Sequence, residues 1–250
     1  MTDHPADREF DFPSIPDAIR ADLGEAYRRA WRHVASPGTW MSGAERVGIA
    51  EETRRARSCR LCAERKAALS PFAVEGDGVH DSGDVLPKGT VEQVHRLTTD
   101  AARLSEKWYG ALLAEGMTEE RYVETLGVAV IVISIDQFCH ALGLPLPALP
   151  QPIAGEPTRM RPDRLVRGEA WVPMQEARKV ASALGMPGPA AFVLRALSLV
   201  PAELEAWLDV AAAQYLSTKE MTNLSSPRAM DRSQMELVAG RVSSLNECFY

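Results

Sequence analysis

Cysteine is scarce in this chain: four residues in 250, too few for a disulfide framework in a protein of this length, so their spacing matters more than their number. A basic surplus is also missing. The formal net charge is -6 and the pI about 5.5, which argues against a dedicated nucleic-acid binder. The first residues are polar and acidic, without a basic stretch leading into an apolar one, so no signal peptide is expected and the chain reads as cytoplasmic. Long apolar runs are lacking too. The most apolar stretch, residues 126–135, is ten residues long and runs into Asp136, which suits a buried helix better than a membrane span. Sustained alternation of apolar and polar residues is absent, which leaves little room for exposed β-sheet.

What remains is helical periodicity on an ordinary globular composition, 46% hydrophobic and 25% charged, and an all-α fold follows. A first helix is expected over residues 16–34, with Leu23, Tyr27, Ala30 and Val34 on one face. Ser42 and Glu45 have the form of a capping box, opening a helix that runs through Cys59 and Cys62. Residues 70–88, rich in Gly, Asp and Pro, read as a loop. Thr90 and Gln93 suggest a second capping box, for a helix containing His95. A long helix starts after Thr118 and ends at Leu142, before Gly143 and Pro145. Seven prolines between residues 144 and 173, with Arg159, Arg161, Arg164 and Arg167, exclude regular helix there. Further helices are expected near 175–184, 189–199 and 201–216, then a polar turn at 222–227 and a last helix from Asp231. The organisation implied is a first helical module at 1–150, a Pro/Arg-rich linker at 151–174 and the first half of a second module at 175–250.

Two of these helices echo one another. Cys59 lies seventeen positions after Ser42 and Cys248 seventeen after Asp231, and each run-up follows a helix with a tryptophan, Trp31 or Trp207. This suggests a tandem duplication.

Cys59 and Cys62 form a CxxC whose sulfurs can reach one another on a helix. Arg54, Arg55, Arg57, Arg60, Arg65 and Lys66 surround the pair, and positive charge favours the thiolate needed for attack on a peroxide or disulfide. The pair reads as a redox site. The alternatives are inert thiols on a solvated basic face, or half of a zinc site. Zinc wants four ligands, and the chain holds no second CxxC and no HxxxH. His33, His80 and His95 carry no spacing signal, and Cys139, in the most apolar helix, reads as a buried structural cysteine.

The stretch from Met235 to Tyr250 resembles the active-site helix of AhpD-like proteins, the alkylhydroperoxidase and carboxymuconolactone decarboxylase superfamily. In that family a glutamate precedes the first cysteine of a CxxC by twelve positions, as Glu236 precedes Cys248. The resemblance implies an all-α AhpD-like bundle, in tandem, and a thiol- or selenol-dependent peroxidase acting on hydroperoxides with an external dithiol donor. Its catalytic set would be Cys248 and Glu236, with Cys59 and Cys62 in the first module, where Val47 and Lys66 stand in place of the family's glutamate and histidine. The second redox residue would follow Tyr250, where a selenocysteine codon read as a stop would end the chain. No cofactor, metal, nucleic-acid partner or membrane partner is expected, and the resemblance implies a homo-oligomer. A lactone decarboxylase, which lacks the CxxC, and a non-enzymatic helical interaction protein are the competing classes.

Overall fold

A computed structural model describes residues 19–70, 73–74, 79–83, 85–221, 228–246 and 248. The polar turn at 222–227, residues 16–18 of the first helix and Phe249-Tyr250 lie outside them. The chain is mostly helical, as the periodicity implies. The helices are α1 (Ala21–Ala35), α2 (Gly43–Ala56), α3 (Arg60–Ala67), α4 (Lys88–Asp100), α5 (Glu106–Ala114), α6 (Glu119–Ala141), α7 (Ala177–Ala183), α8 (Phe192–Arg195), α9 (Pro201–Gln214), α10 (Thr218–Met221) and α11 (Arg232–Leu245). One antiparallel pair, β1 (Leu165–Val166) with β2 (Met174–Gln175), is a feature the sequence did not announce.

The Ser42/Glu45 capping box forms: the Ser42 hydroxyl accepts from the Glu45 N–H and the Glu45 carboxylate accepts from the Ser42 N–H. Asp231 and Gln234 make a second reciprocal box at α11. The box expected at Thr90 does not form. Helix α4 starts earlier, behind Pro87, Thr90 is buried, and the Gln93 amide donates instead to the Tyr122 carbonyl. Nor does one helix run from Ser42 through the cysteines. It stops at Ala56, residues 57–58 turn, and Cys59 becomes the N-cap residue of α3.

Helix α6 is the spine. Its 23 residues pass the length and hydropathy test for a membrane span, but 67% of its apolar window is buried inside the fold. Val128, Ile131, Val132 and Ile135 meet Tyr27, Trp31 and Val34 of α1, Ile49 of α2 and Val94 of α4, while Val210 and Ala213 of α9 complete the same core. Elements from both sides of the Pro-rich stretch therefore share one hydrophobic core. The stretch itself lies along the α1–α2 connection, where Ile153 N–H donates to Ala35 O and Arg159 N–H to Thr39 O.

A fully buried ion cluster sits where α1, α2, α6 and α9 meet. Arg46 Nη1 donates to Glu124 at 2.7 Å and to Glu203 at 2.6 Å, while Arg46 Nη2 and Glu203 both contact the His33 ring. Gly127 lets α9 come this close: a Cβ there would lie 2.6 Å from Glu203 Cβ. Arg54 grips Asp136 of α6 through two parallel hydrogen bonds of 2.9 and 2.8 Å.

Candidate metal centre

Four side chains from three elements converge beside α4. Cys59 caps α3 and Cys62 sits in its first turn; His95 lies on α4; His80 comes from the connection between those helices. All four are buried, and their Sγ and imidazole nitrogen atoms lie within 4.8 Å of one another. The Nδ1 of His80 is 3.6 Å from Cys59 Sγ and 3.5 Å from Cys62 Sγ, and the Nδ1 of His95 is 3.2 Å from Cys62 Sγ. A tetrahedral zinc with Zn–S near 2.3 Å and Zn–N near 2.05 Å has N···S edges of about 3.5 Å. The observed separations straddle that value.

The far side of each imidazole fixes its tautomer. His95 Nε2 is 2.7 Å from Glu52 Oε1 of α2, and His80 Nε2 is 2.7 Å from Glu92 Oε2 of α4. A carboxylate can only accept, so each Nε2 carries a hydrogen, which leaves Nδ1 as the ring nitrogen that faces the sulfurs and would bind a metal once free of its proton. This is the carboxylate–histidine bracing found around bound metals. The braces are themselves held: Glu92 also accepts from Arg65 Nη1 at 2.8 Å and from Trp108 Nε1 at 3.0 Å, and Glu52 from the Gly83 N–H at 3.0 Å. Asp81, next to His80, accepts from the Arg60 N–H at 2.8 Å and so ties the connection to the start of α3.

As proton acids these groups are displaced, His80 and Glu92 most of all. Burial pushes the Cys59 thiol up, but N–H groups of Cys62 and Asp81 and the His80 ring outweigh it and hold the pKa below the usual thiol range. Burial would depress His80, yet its contacts with Cys62, Glu92 and Cys59 raise it to about 10. His95 is lowered, chiefly by burial. Burial opposes ionisation of Glu92, but His80 and Arg65 pull it down to about 2.

The basic run around the CxxC is turned to other ends. Arg54 binds Asp136, Arg65 binds Glu92 and Lys66 lies 3.7 Å from Asp100, so these charges are matched by carboxylates. The N–H groups of Cys62 and Asp81 and the His80 imidazole bias the Cys59 thiolate, not the guanidinium cluster that the sequence suggested.

The other sequence-derived site residues are placed apart from one another. Cys248 is exposed, with its sulfur 4.0 Å from the Asn246 carbonyl. Glu236 on α11 accepts from the Tyr215 hydroxyl at 2.7 Å and pairs with Arg232 at 2.6 Å. Cys139 is fully buried in α6, where burial raises its thiol pKa.

His80 and His95, and their braces Glu52 and Glu92, were missed by sequence reasoning. Seventeen residues separate Cys62 from His80 and fourteen separate His80 from His95, which fits no short histidine motif. The usable signal was Glu92-Gln93-Val94-His95, a carboxylate and an imidazole on one helix face beside a CxxC.

A cavity of about 620 Å³ opens against this centre. Val91, Trp108 and Leu112 form its apolar floor, and His80 and Glu92 form the wall nearest the sulfurs. The chain matches no family model, no curated protein and no solved structure.

Proposed function

We propose that this chain is a zinc protein, with one Zn²⁺ bound by Cys59, Cys62, His80 and His95. The observation that carries the reading is the convergence of four buried donor atoms within 4.8 Å, with both imidazoles braced by carboxylates at 2.7 Å. Two thiolates and two neutral imidazoles around Zn²⁺ sum to zero charge, which suits a site with so little solvent. Four protein ligands leave no open position, so the metal's role is to join α3 and the His80 connection to α2 and α4. Sites of this composition contribute about 10–16 kcal/mol of apparent binding free energy to folding near neutral pH.

Metal analysis tests this directly. Protein produced with zinc in the medium carries one zinc per chain, and His95→Ala and Cys62→Ser lose it. Substoichiometric metal, below about a tenth of an equivalent after purification at neutral pH, would overturn the assignment.

A second reading is thiol-dependent hydroperoxide reduction, favoured by one observation: Cys59 sits at the start of α3, facing the Cys62 and Asp81 N–H groups and the His80 ring, all of which favour its thiolate. Cys59 would attack the peroxide, releasing an alcohol and leaving a sulfenic acid. Cys62 would then close a disulfide with loss of water, and an external dithiol would restore the pair. The resemblance to AhpD-like proteins supports it, as does the likeness of the two run-ups: α2 and α11 are both 14 residues long, both opened by a reciprocal capping box, and both followed three positions later by cysteine. That likeness also supports a tandem duplication, and the exposed Leu237, Val238, Val242 and Leu245 of α11 suit the association expected of such modules. Turnover of a hydroperoxide that disappears in Cys59→Ser would assign the activity to the first pair. Full turnover in Cys248→Ser would remove Cys248 and Glu236 from the catalytic set.

A further inference from the structure

Three features of the metal centre point to one property. First, both sulfurs belong to a single CxxC at the start of α3 and lie within 4.8 Å of each other, so side-chain rotation can bring them to the roughly 2.05 Å of a disulfide. Second, the cavity of about 620 Å³ reaches His80 and Glu92, while Cys59 and Cys62 keep only 2% and 3% of their surface exposed. The cavity thus ends at the His80 ring, one side chain short of the sulfurs, and the buried thiols are closed to a protein disulfide. Third, the apolar cluster around these thiols is slight: among the described residues it consists of Cys59, Leu61 and Cys62, with Val74 against it, separate from the two larger cores.

Among the described residues, polar contacts supplement this small cluster: Arg65 pairs with Glu92, and Arg103 donates to the Arg65 and Ala68 carbonyls at 2.6 and 2.8 Å. The donors divide into two sets. His95 stands on α4 and its brace Glu52 on α2, both built into the main helical packing. Cys59, Cys62 and His80 stand on α3 and its connection, where among the described residues the metal would add its bonds to a small apolar cluster and a few polar contacts.

Resting on the zinc reading above, we propose that the centre is a hydrogen-peroxide-sensitive zinc switch, in which oxidation of Cys59 and Cys62 to a disulfide expels the metal and frees α3 and the His80 connection from α2 and α4. Cys59 Sγ attacks one peroxide oxygen and the O–O bond breaks, giving a sulfenic acid and hydroxide. Cys62 Sγ attacks the sulfenic sulfur and displaces a second hydroxide. The two thiolates supply the two electrons, two protons from solvent convert the hydroxides to water, and Zn²⁺ leaves, because a disulfide is a poor ligand and two imidazoles alone do not hold it. Val79, His80, Ser82 and Gly83 form one wall of the cavity, so the same event opens that cavity.

Zinc-loaded full-length protein is treated with hydrogen peroxide while a chromogenic chelator reports free metal, the Cys59–Cys62 linkage is mapped by peptide mass spectrometry, and trypsin probes the freed region. The expected result is one zinc released per disulfide formed and a rise of at least about tenfold in cleavage after Arg60 and Lys66, both reversed by dithiothreitol with zinc. Cys59→His keeps four ligands but removes the dithiol, and is expected to hold its zinc under the same treatment. Zinc retained by the wild type, zinc released without the 59–62 disulfide, or unchanged trypsin cleavage would each overturn the switch. Protein that never carries zinc would instead overturn the metal assignment itself, so the two failures are distinguishable.

Discussion

Arg46 is the residue on which most of the buried electrostatics turns. It is fully buried with two carboxylates, Glu124 and Glu203, so the three groups carry one surplus negative charge that only the edge of His33 can offset. Burial raises Glu124 beyond what Arg46 can pull down, whereas Glu203, just as buried, is lowered because Arg46 and His33 both face it. One Glu203 oxygen and the Arg46 Nε have no hydrogen-bond partner among the described residues, so the cluster is not fully satisfied. Replacing Arg46 with methionine leaves two carboxylates in the core facing a single imidazole. The expected cost is about 3–5 kcal/mol, read as a lower denaturant midpoint in chemical unfolding. The double change Arg46→Met with Glu203→Gln is expected to recover part of that loss, since it removes a stranded charge; no recovery would mean that packing, not charge, governs the site.

At the scale of elements, the capping boxes show how local chemistry sets boundaries. Burial pushes the Glu45 carboxyl up, but the Arg121 guanidinium and the Ser42 N–H and hydroxyl outweigh it, so its folded pKa lies below the usual carboxylate range. A lowered acid contributes stability that is present above its unfolded pKa and is lost as pH falls through the folded one. The melting-temperature gap between wild type and Glu45→Gln is therefore expected near neutral pH and should close by about half or more as pH drops below the carboxylate range. A gap independent of pH would place the effect in packing instead. The boxes at Ser42 and Asp231 were legible because the signal is four residues long, but the same signal misled at Thr90, where α4 begins earlier behind Pro87. The α2–α3 break was not legible: nothing in Ala56-Arg57-Ser58-Cys59 forbids helix, and the turn is held by Asp81, more than twenty positions away, accepting from the start of α3. The candidate site divides the same way. The CxxC was visible, while His80 and His95 became ligand-like only once α3 folded back against α4.

At the scale of the whole molecule, the question is whether residues 1–150 stand alone, as a reading of the sequence into modules implies. Their core is completed from outside. Val210 and Ala213 of α9 lie in the same cluster as Trp31 and Ile131, and Glu203 is the second carboxylate on Arg46. Arg29 on α1 pairs with Asp209, and the Gln214 amide donates to the Tyr27 hydroxyl. Cutting at 150 would expose the α1 and α6 faces that α9 covers and would leave Arg46 with one carboxylate. The zinc ligands, by contrast, all lie between residues 59 and 95. A 1–150 fragment is thus expected to bind zinc yet to unfold without a sharp transition, with native-like far-ultraviolet circular dichroism and weak near-ultraviolet signal. The full chain should melt cooperatively. A fragment that melts sharply, within a few degrees of the full chain, would mean that α9 is an addition to a complete module rather than part of its core.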